Sequence, residues 1–162
     1  MGRASRTGTA AAAAIAIAAS LLACAAREPS PAAKAGAQTF AFSVMDLRDS
    51  ALGSHDLDTA AAAYAENAEV IDAATGLVVL RGRAEIRQAH ARFLAPCPDA
   101  RIDILDRAYA EQARIVADLE RVRCRGGPPV ETRVRYEIDR GTIVRVLQNG
   151  SPLFPAIPGR RQ

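Results

Sequence analysis

The sequence predicts an α+β domain in which helices come first and a half-covered, mainly antiparallel sheet follows. Two observations carry this. Before residue 100, most apolar residues recur at helical spacing. From Arg101 onward the period changes to two, across four segments separated by hairpin-like turns. The chain has 162 residues, and about 110 of them lie between two atypical ends, enough for one modest core.

The first helix is expected around Phe40, Val44, Leu47 and Ala51, which share one face, and Gly53-Ser54 stops it. Asp56 or Asp58 can cap a short second helix running through Tyr64, with Leu57, Ala61 and Tyr64 on one side. Residues 68–72 read as a strand, Ala73-Ala74-Thr75-Gly76 as its turn, and residues 77–81 as a second strand. Gly82 opens a third helix. Glu85 lies in its first turn, where the helix dipole favours an acid. Its apolar face is Ile86, Ala89 and Phe93, with His90 on the same side, and Pro96 and Pro98 end it.

Beyond Arg101, Ile102 and Ile104 form one parity, and Ile115, Ala117, Leu119 and Arg121 another. Val130, Thr132, Val134, Tyr136 and Ile138 follow, then Thr142, Val144 and Val146. Charged residues occupy the alternate positions, the mark of a sheet with one buried face. Turns are expected at Tyr109–Gln112, Gly126-Gly127-Pro128-Pro129 and Asp139-Arg140-Gly141.

Hydrophobic residues make up 49% and charged residues 24%, which excludes a wholly disordered chain. Aromatics are 4%, with no Trp, and argue against a base-stacking surface. The net charge is +3 and no basic stripe stands out, so nucleic acid is not an expected partner.

The N-terminus reads as an address. Residues 1–9 carry two arginines and no acid, and Ala10–Leu22 is apolar apart from Ser20. This run is too short to span a bilayer as a helix and matches a secretory signal. Leu21-Leu22-Ala23-Cys24 resembles a bacterial lipobox. The resemblance implies cleavage after residue 23 and lipidation of Cys24, with durable membrane attachment through the acyl chains. It places the mature protein in the cell envelope, at the outer membrane where there are two, since Ala25 and not Asp follows the cysteine. An ordinary signal cut near Ala23–Ala26 is the alternative. Residues 24–37 look like a flexible tether, and 149–162 like a proline-rich, non-regular tail.

The segments His55-Asp56-Leu57-Asp58, AAYAENAEVIDAATG and LRGRAEIRQAHARF, with YEIDRGTIVRV later, are together similar to SnoaL-like proteins of the nuclear transport factor 2-like superfamily. The resemblance covers about residues 40–148, and the domain is expected at 38–148. It implies a cone: three helices in the concave side of a strongly curved sheet, with a pocket inside. Relatives often pair through the convex face, so a homodimer is expected. Here that face would carry Arg101, Asp103, Arg114, Asp118, Glu120, Arg133, Arg135 and Glu137, with Leu105 and Val116 between them.

Ketosteroid isomerase is one relative. Its base position corresponds to Asp72, but its first-helix tyrosine falls on Arg48 and its protonated aspartate near Val134. Two of its three roles are thus missing. Asp72 is the candidate general base, with a pKa raised by desolvation in the cone, or else an aspartate capping its own turn. His90 and Tyr136 are candidate ligand contacts or core residues, and Arg121 a candidate contact or a solvated strand end. No metal spacing and no phosphate loop are present, and no cofactor is expected.

Cys97 and Cys124 remain for a disulfide, which an exported chain can form. A turn centred between Ala110 and Glu111 pairs Ile102 with Leu119 and Ile104 with Ala117. Extended outward, that register brings Cys97 opposite Cys124, a loop of about 28 residues stabilising by roughly 3 kcal/mol. The preferred function is an envelope-tethered module binding a small apolar molecule. The alternatives are an isomerase, cyclase or dehydratase using Asp72, and a dimerising interaction domain without chemistry.

Overall fold

A computed structural model describes residues 30–155. The signal segment, Cys24 and the last seven residues lie outside the described residues. Among the described residues no helix is long and apolar enough to cross a membrane.

The chain runs α1 (Pro31–Gly53), α2 (Leu57–Ala62), β1 (Tyr64–Asp72), β2 (Val78–Arg81), α3 (Arg83–Leu94), β3 (Arg101–Ala110), β4 (Ile115–Arg123), β5 (Val130–Asp139) and β6 (Thr142–Gln148). The six strands form one open sheet in the order β2-β1-β6-β5-β4-β3. β1 and β6 are parallel, and the other neighbours are antiparallel. Irregularities interrupt β1, β3 and the β5–β6 ladder. Bulges increase local twist and bend strands, which is how a sheet of this kind curls round its helices. The α+β cone is as the sequence implies.

Helix α1 starts earlier than expected, so residues 31–37 are not tether. Ser30 Oγ accepts from the Ala33 amide at 3.3 Å and Pro31 takes the first helical position. The alanine-rich stretch that follows favours helix. Its buried stripe is also rotated. Ala41, Val44, Met45, Arg48, Ala51 and Leu52 face inward, whereas Phe40 and Leu47 are 55% and 54% exposed. Reading apolar residues alone selects the neighbouring stripe, because the true one contains an arginine. Helix α2 ends at Ala62, and Tyr64 opens β1 instead of closing the helix.

The β3–β4 hairpin differs from the expected register. Its turn lies at 111–114, with Ala110 opposite Ile115, two residues later than expected. A bulge at Leu105 then shifts the ladder, so Ile102 faces Val122 and Ile104 faces Glu120. The consequence reaches the whole strand: Val116, Asp118, Glu120 and Val122 point inward, and Ala117, Leu119 and Arg121 outward. A one-residue slip in pairing moves every side chain to the other face. On β6, Val144 is the extra residue of a bulge, and Ile143, Val146 and Gln148 are buried in place of the expected Thr142, Val144 and Val146 parity. The Arg140-Gly141 turn has positive φ at both positions, 47° and 83°, the hairpin geometry expected there.

The disulfide between Cys97 and Cys124 is present, with Cα atoms 5.4 Å apart. The expected ladder does not produce it. The β3–β4 pairing ends at Arg101 opposite Arg123, and a turn through Pro98-Asp99-Ala100 brings Cys97 back to Cys124. The segment after β6 is non-regular but not a free tail. Ser151, Leu153 and Phe154 are buried, and Leu153 is wholly enclosed. Gln148 Oε1 accepts from the Ser151 amide at 2.7 Å and sets this course.

Candidate functional site

Five polar side chains from five elements meet inside the cone: Arg48 (α1), Tyr64 (β1), His90 (α3), Glu120 (β4) and Tyr136 (β5). All five are fully buried. Apolar inward residues flank them, such as Met45 beside Arg48 and Val116 and Val122 on the face of Glu120.

Arg48 organises the cluster. Its Nε donates to the Tyr64 hydroxyl at 3.1 Å, and its Nη1 donates to Asp49 Oδ1 at 2.7 Å and Glu120 Oε1 at 3.1 Å. The guanidinium carbon lies 4.6 Å from the centroid of the Tyr136 ring, a cation–π arrangement. The Tyr136 hydroxyl donates to the same Glu120 Oε1 at 2.6 Å. Burial pushes the Glu120 carboxyl above its ordinary range, opposed by the Arg48 charge and the Tyr136 bond. Burial likewise pushes the Tyr64 phenol up to about 12.

His90 sits under the C-terminal segment. Its Nδ1 is 3.1 Å from the Leu153 carbonyl oxygen, and its ring packs 5.3 Å from Phe154 and 5.8 Å from Tyr64. Burial, then the Arg48 charge, pulls the imidazole down to about 3, so it is neutral at physiological pH. A carbonyl only accepts, so Nδ1 carries the proton and Nε2 is a bare lone pair. Three atoms in this cluster make no hydrogen bond within the protein: Arg48 Nη2, Glu120 Oε2 and His90 Nε2.

A second arginine network borders the first. Arg107 on β3 donates from Nε and Nη2 to the two Asp118 oxygens, both at 2.8 Å. It also donates to Asp46 at 2.6 Å and to Asp49 Oδ2 at 2.7 Å. Asp49 thereby joins the two networks, one oxygen to each arginine.

Among the residues expected to act, His90 and Tyr136 come together in the cone, and Asp72 and Arg121 do not join them. Asp72 ends β1, half-buried beside a shallow surface cleft. Its Oδ1 accepts from the Ala74 amide (2.9 Å), the Thr75 amide (2.9 Å) and the Thr75 hydroxyl (3.1 Å). These bonds, led by those from Thr75, lower its pKa, opposite to the rise expected for a base in the cone. Arg121 lies on the outer face and pairs with Glu131 at 2.7 Å. Asp118 and Glu120, expected on the convex face, are interior. Arg48, Tyr64 and Glu120 are the site residues that sequence reasoning missed. The available signal was charge balance: an arginine on a buried helical stripe needs a carboxylate, and 116–122 reads V-A-D-L-E-R-V with two on one parity.

The family model for the SnoaL-like domain matches residues 44–151. The chain belongs to that family. Solved structures agree in fold. A cystatin-fold protein from Novosphingobium aromaticivorans is 21% identical with a TM-score of 0.58, covering 67% of this chain and 96% of that one. A candidate ketosteroid isomerase from Kribbella flavida is 17% identical with a TM-score of 0.59, covering 76% and 86%. A candidate polyketide cyclase from Sinorhizobium meliloti is 18% identical with a TM-score of 0.57, covering 66% and 94%. No curated protein matches the chain. Inside this fold Arg48 and Glu120 form a buried ion pair at 3.1 Å.

Proposed function

We propose that this SnoaL-like protein is an exported, Cys24-lipidated binding module that takes a small molecule into the interior of its cone. The supporting observation is the set of three buried polar atoms on α1, β4 and α3 that no protein group satisfies. A buried polar group without a partner costs about 1–3 kcal/mol, so three such groups in one cluster favour an occupant that pairs them. A polar cluster lies within an otherwise apolar interior, so the ligand we propose is a small, largely apolar molecule that can also hydrogen-bond.

Two solved neighbours described as a candidate isomerase and a candidate cyclase would favour catalysis. Asp72 gives that reading little support, because its carboxylate is tied to its own turn with a lowered pKa. Dimerisation through the convex face is weaker as well. Outward charges there already pair within one copy, as Arg121 with Glu131 and Arg145 with Glu137.

Native mass spectrometry of the full chain, purified from the membrane fraction of its producing cells, tests the proposal. The expected result is a mature terminus at Cys24 carrying acyl chains, and a mass increment for one small molecule that an Arg48→Met variant loses. A single unliganded mass would overturn the binding reading, and an unacylated terminus would overturn the anchor.

A further inference from the structure

The outer face of the sheet carries a pair of charges that its neighbours do not neutralise. Outward side chains on β5 run Glu131, Arg133, Arg135 and Glu137. The two glutamates could serve the two arginines between them, but cross-strand partners take both. Arg121 on β4 donates from Nε and Nη2 to Glu131 Oε1 at 2.9 and 2.7 Å, and Arg145 on β6 donates to Glu137 Oε2 at 2.7 Å. Arg133 and Arg135 are exposed, and among the described residues neither makes an ion pair or a hydrogen bond. They stand about 6.5 Å apart along one strand, two like charges on one face.

A hollow of about 310 Å³ lies beside this pair. The strand register explains it. Arg135 is flanked by Ala117 on β4 and Leu147 on β6, Arg133 by Leu119 on β4, and Ala117 pairs in turn with Ala108 on β3. The short side chains of Ala108 and Ala117 leave the dip, and Leu119 and Leu147 line it. Its volume is at the lower end of small-molecule sites, about 300–1,000 Å³. Two acids border it. Both oxygens of Asp118 are held by Arg107, so Asp118 offers no free acceptor. Asp106 is unpaired among the described residues and lies across Leu119 from Arg133. The rim therefore has two free positive charges against one negative.

From this geometry we infer a second binding site on the outer sheet face, for a monoanionic carboxylate with a compact apolar body. The carboxylate sits between Arg133 and Arg135, whose guanidinium forks match its two oxygens. The body rests on Ala108 and Ala117 between the two leucines. One negative charge balances the rim. A dianion would overcharge it beside Asp106, and a neutral molecule would leave both arginines unpaired. The site is separate from the cone and stands without the reading above.

The test uses the full mature chain, ¹³C-labelled at its alanine methyls, with discs of zwitterionic phosphatidylcholine present. The probes are hexanoate, 1-hexanol and hexylammonium. Hexanoate should shift the Ala108 and Ala117 methyl signals saturably, with hexanol at least about tenfold weaker and hexylammonium weaker still. Arg135→Gln should bring hexanoate towards the hexanol level, with the unliganded Ala117 signal checking the fold. Ala117→Leu fills the hollow and keeps both arginines, so hexanoate should no longer shift Ala108. Retained affinity in that variant would mean diffuse charge attraction and would overturn the site. So would equal binding of hexanoate and hexanol, or no saturable shift from hexanoate. Shifts of these methyls on raising protein concentration alone would assign the face to a second copy. Shifts on changing to anionic lipid alone would assign it to the membrane. Either result would also overturn the carboxylate site.

Discussion

The two arginine networks of this protein have similar parts and opposite completeness. Arg107 uses Nε, Nη1 and Nη2 on three carboxylates, and both oxygens of its fully buried partner Asp118 are paired. Arg48, deeper and sealed from water, leaves one nitrogen unpaired, and its partner Glu120 leaves one oxygen. A saturated network of this kind locks α1 onto β3 and β4. An unsaturated one at greater depth is costly for stability alone and is compatible with the ligand proposed above. The difference teaches that burial and charge alone do not distinguish these two arginines, whereas completeness of pairing does.

The largest expected effect breaks the inner pair. Glu120→Leu should destabilise the domain by about 3–5 kcal/mol in denaturant titration, because Arg48 and the Tyr136 hydroxyl lose a buried partner. The double variant Arg48→Met, Glu120→Leu should cost less than Glu120→Leu alone, since no orphaned charge remains. Asp118→Leu should also cost less, because Arg107 keeps Asp46 and Asp49. Equal losses at Glu120 and Asp118 would erase the distinction between the networks.

The next effect uses acidity. His90 is neutral in the fold down to about pH 3, whereas the unfolded chain takes up its proton near pH 6.5. The unfolded state therefore binds more protons in between, and stability is lost as pH falls through that window. The loss reaches about 3 kcal/mol at pH 4 from this group. Glu120 and Asp118, with raised pKa values, act in the opposite direction above their ordinary range. Unfolding free energies measured at pH 7 and pH 4 should show the His90 slope, and His90→Gln should flatten it. An unchanged slope would mean that the histidine is solvated and not part of the inner cluster.

The smallest effect concerns Asp72, outside both networks. Asp72→Asn should lower the melting temperature slightly, through weakened turn bonds, and leave ligand retention in native mass spectra unchanged. Loss of the ligand in that variant would return Asp72 to the site and reopen the catalytic reading.

Much of this was legible from local pattern. The α+β class, the three helices, the hairpin order and the Asp139-Arg140-Gly141 turn follow from periodicity and turn chemistry, which act over a few residues. The disulfide was legible too, though through a register that does not exist; two cysteines left in one exported domain constrain the pairing even when the ladder is misplaced. Inward placement of His90 and Tyr136 followed from apolar neighbours at helical and strand spacing.

Tertiary structure decided what local pattern could not. Whether a strand faces in or out depends on where its turn falls and whether a bulge intervenes, and the 111–114 turn with the bulge at Leu105 reversed β4. That reversal alone brought Glu120 and Asp118 inside and sent Arg121 out. A charged residue is placed in a core only by partners distant in sequence, as Arg48 is by Glu120, 72 positions away. Neither half of such a pair carries a local mark of burial, so apolar periodicity passed over both. The same holds for Leu153 and Phe154, whose burial depends on the Gln148 side chain turning the chain back over the cone. Short-range forces choose the elements, and long-range pairing chooses which of their faces becomes the site.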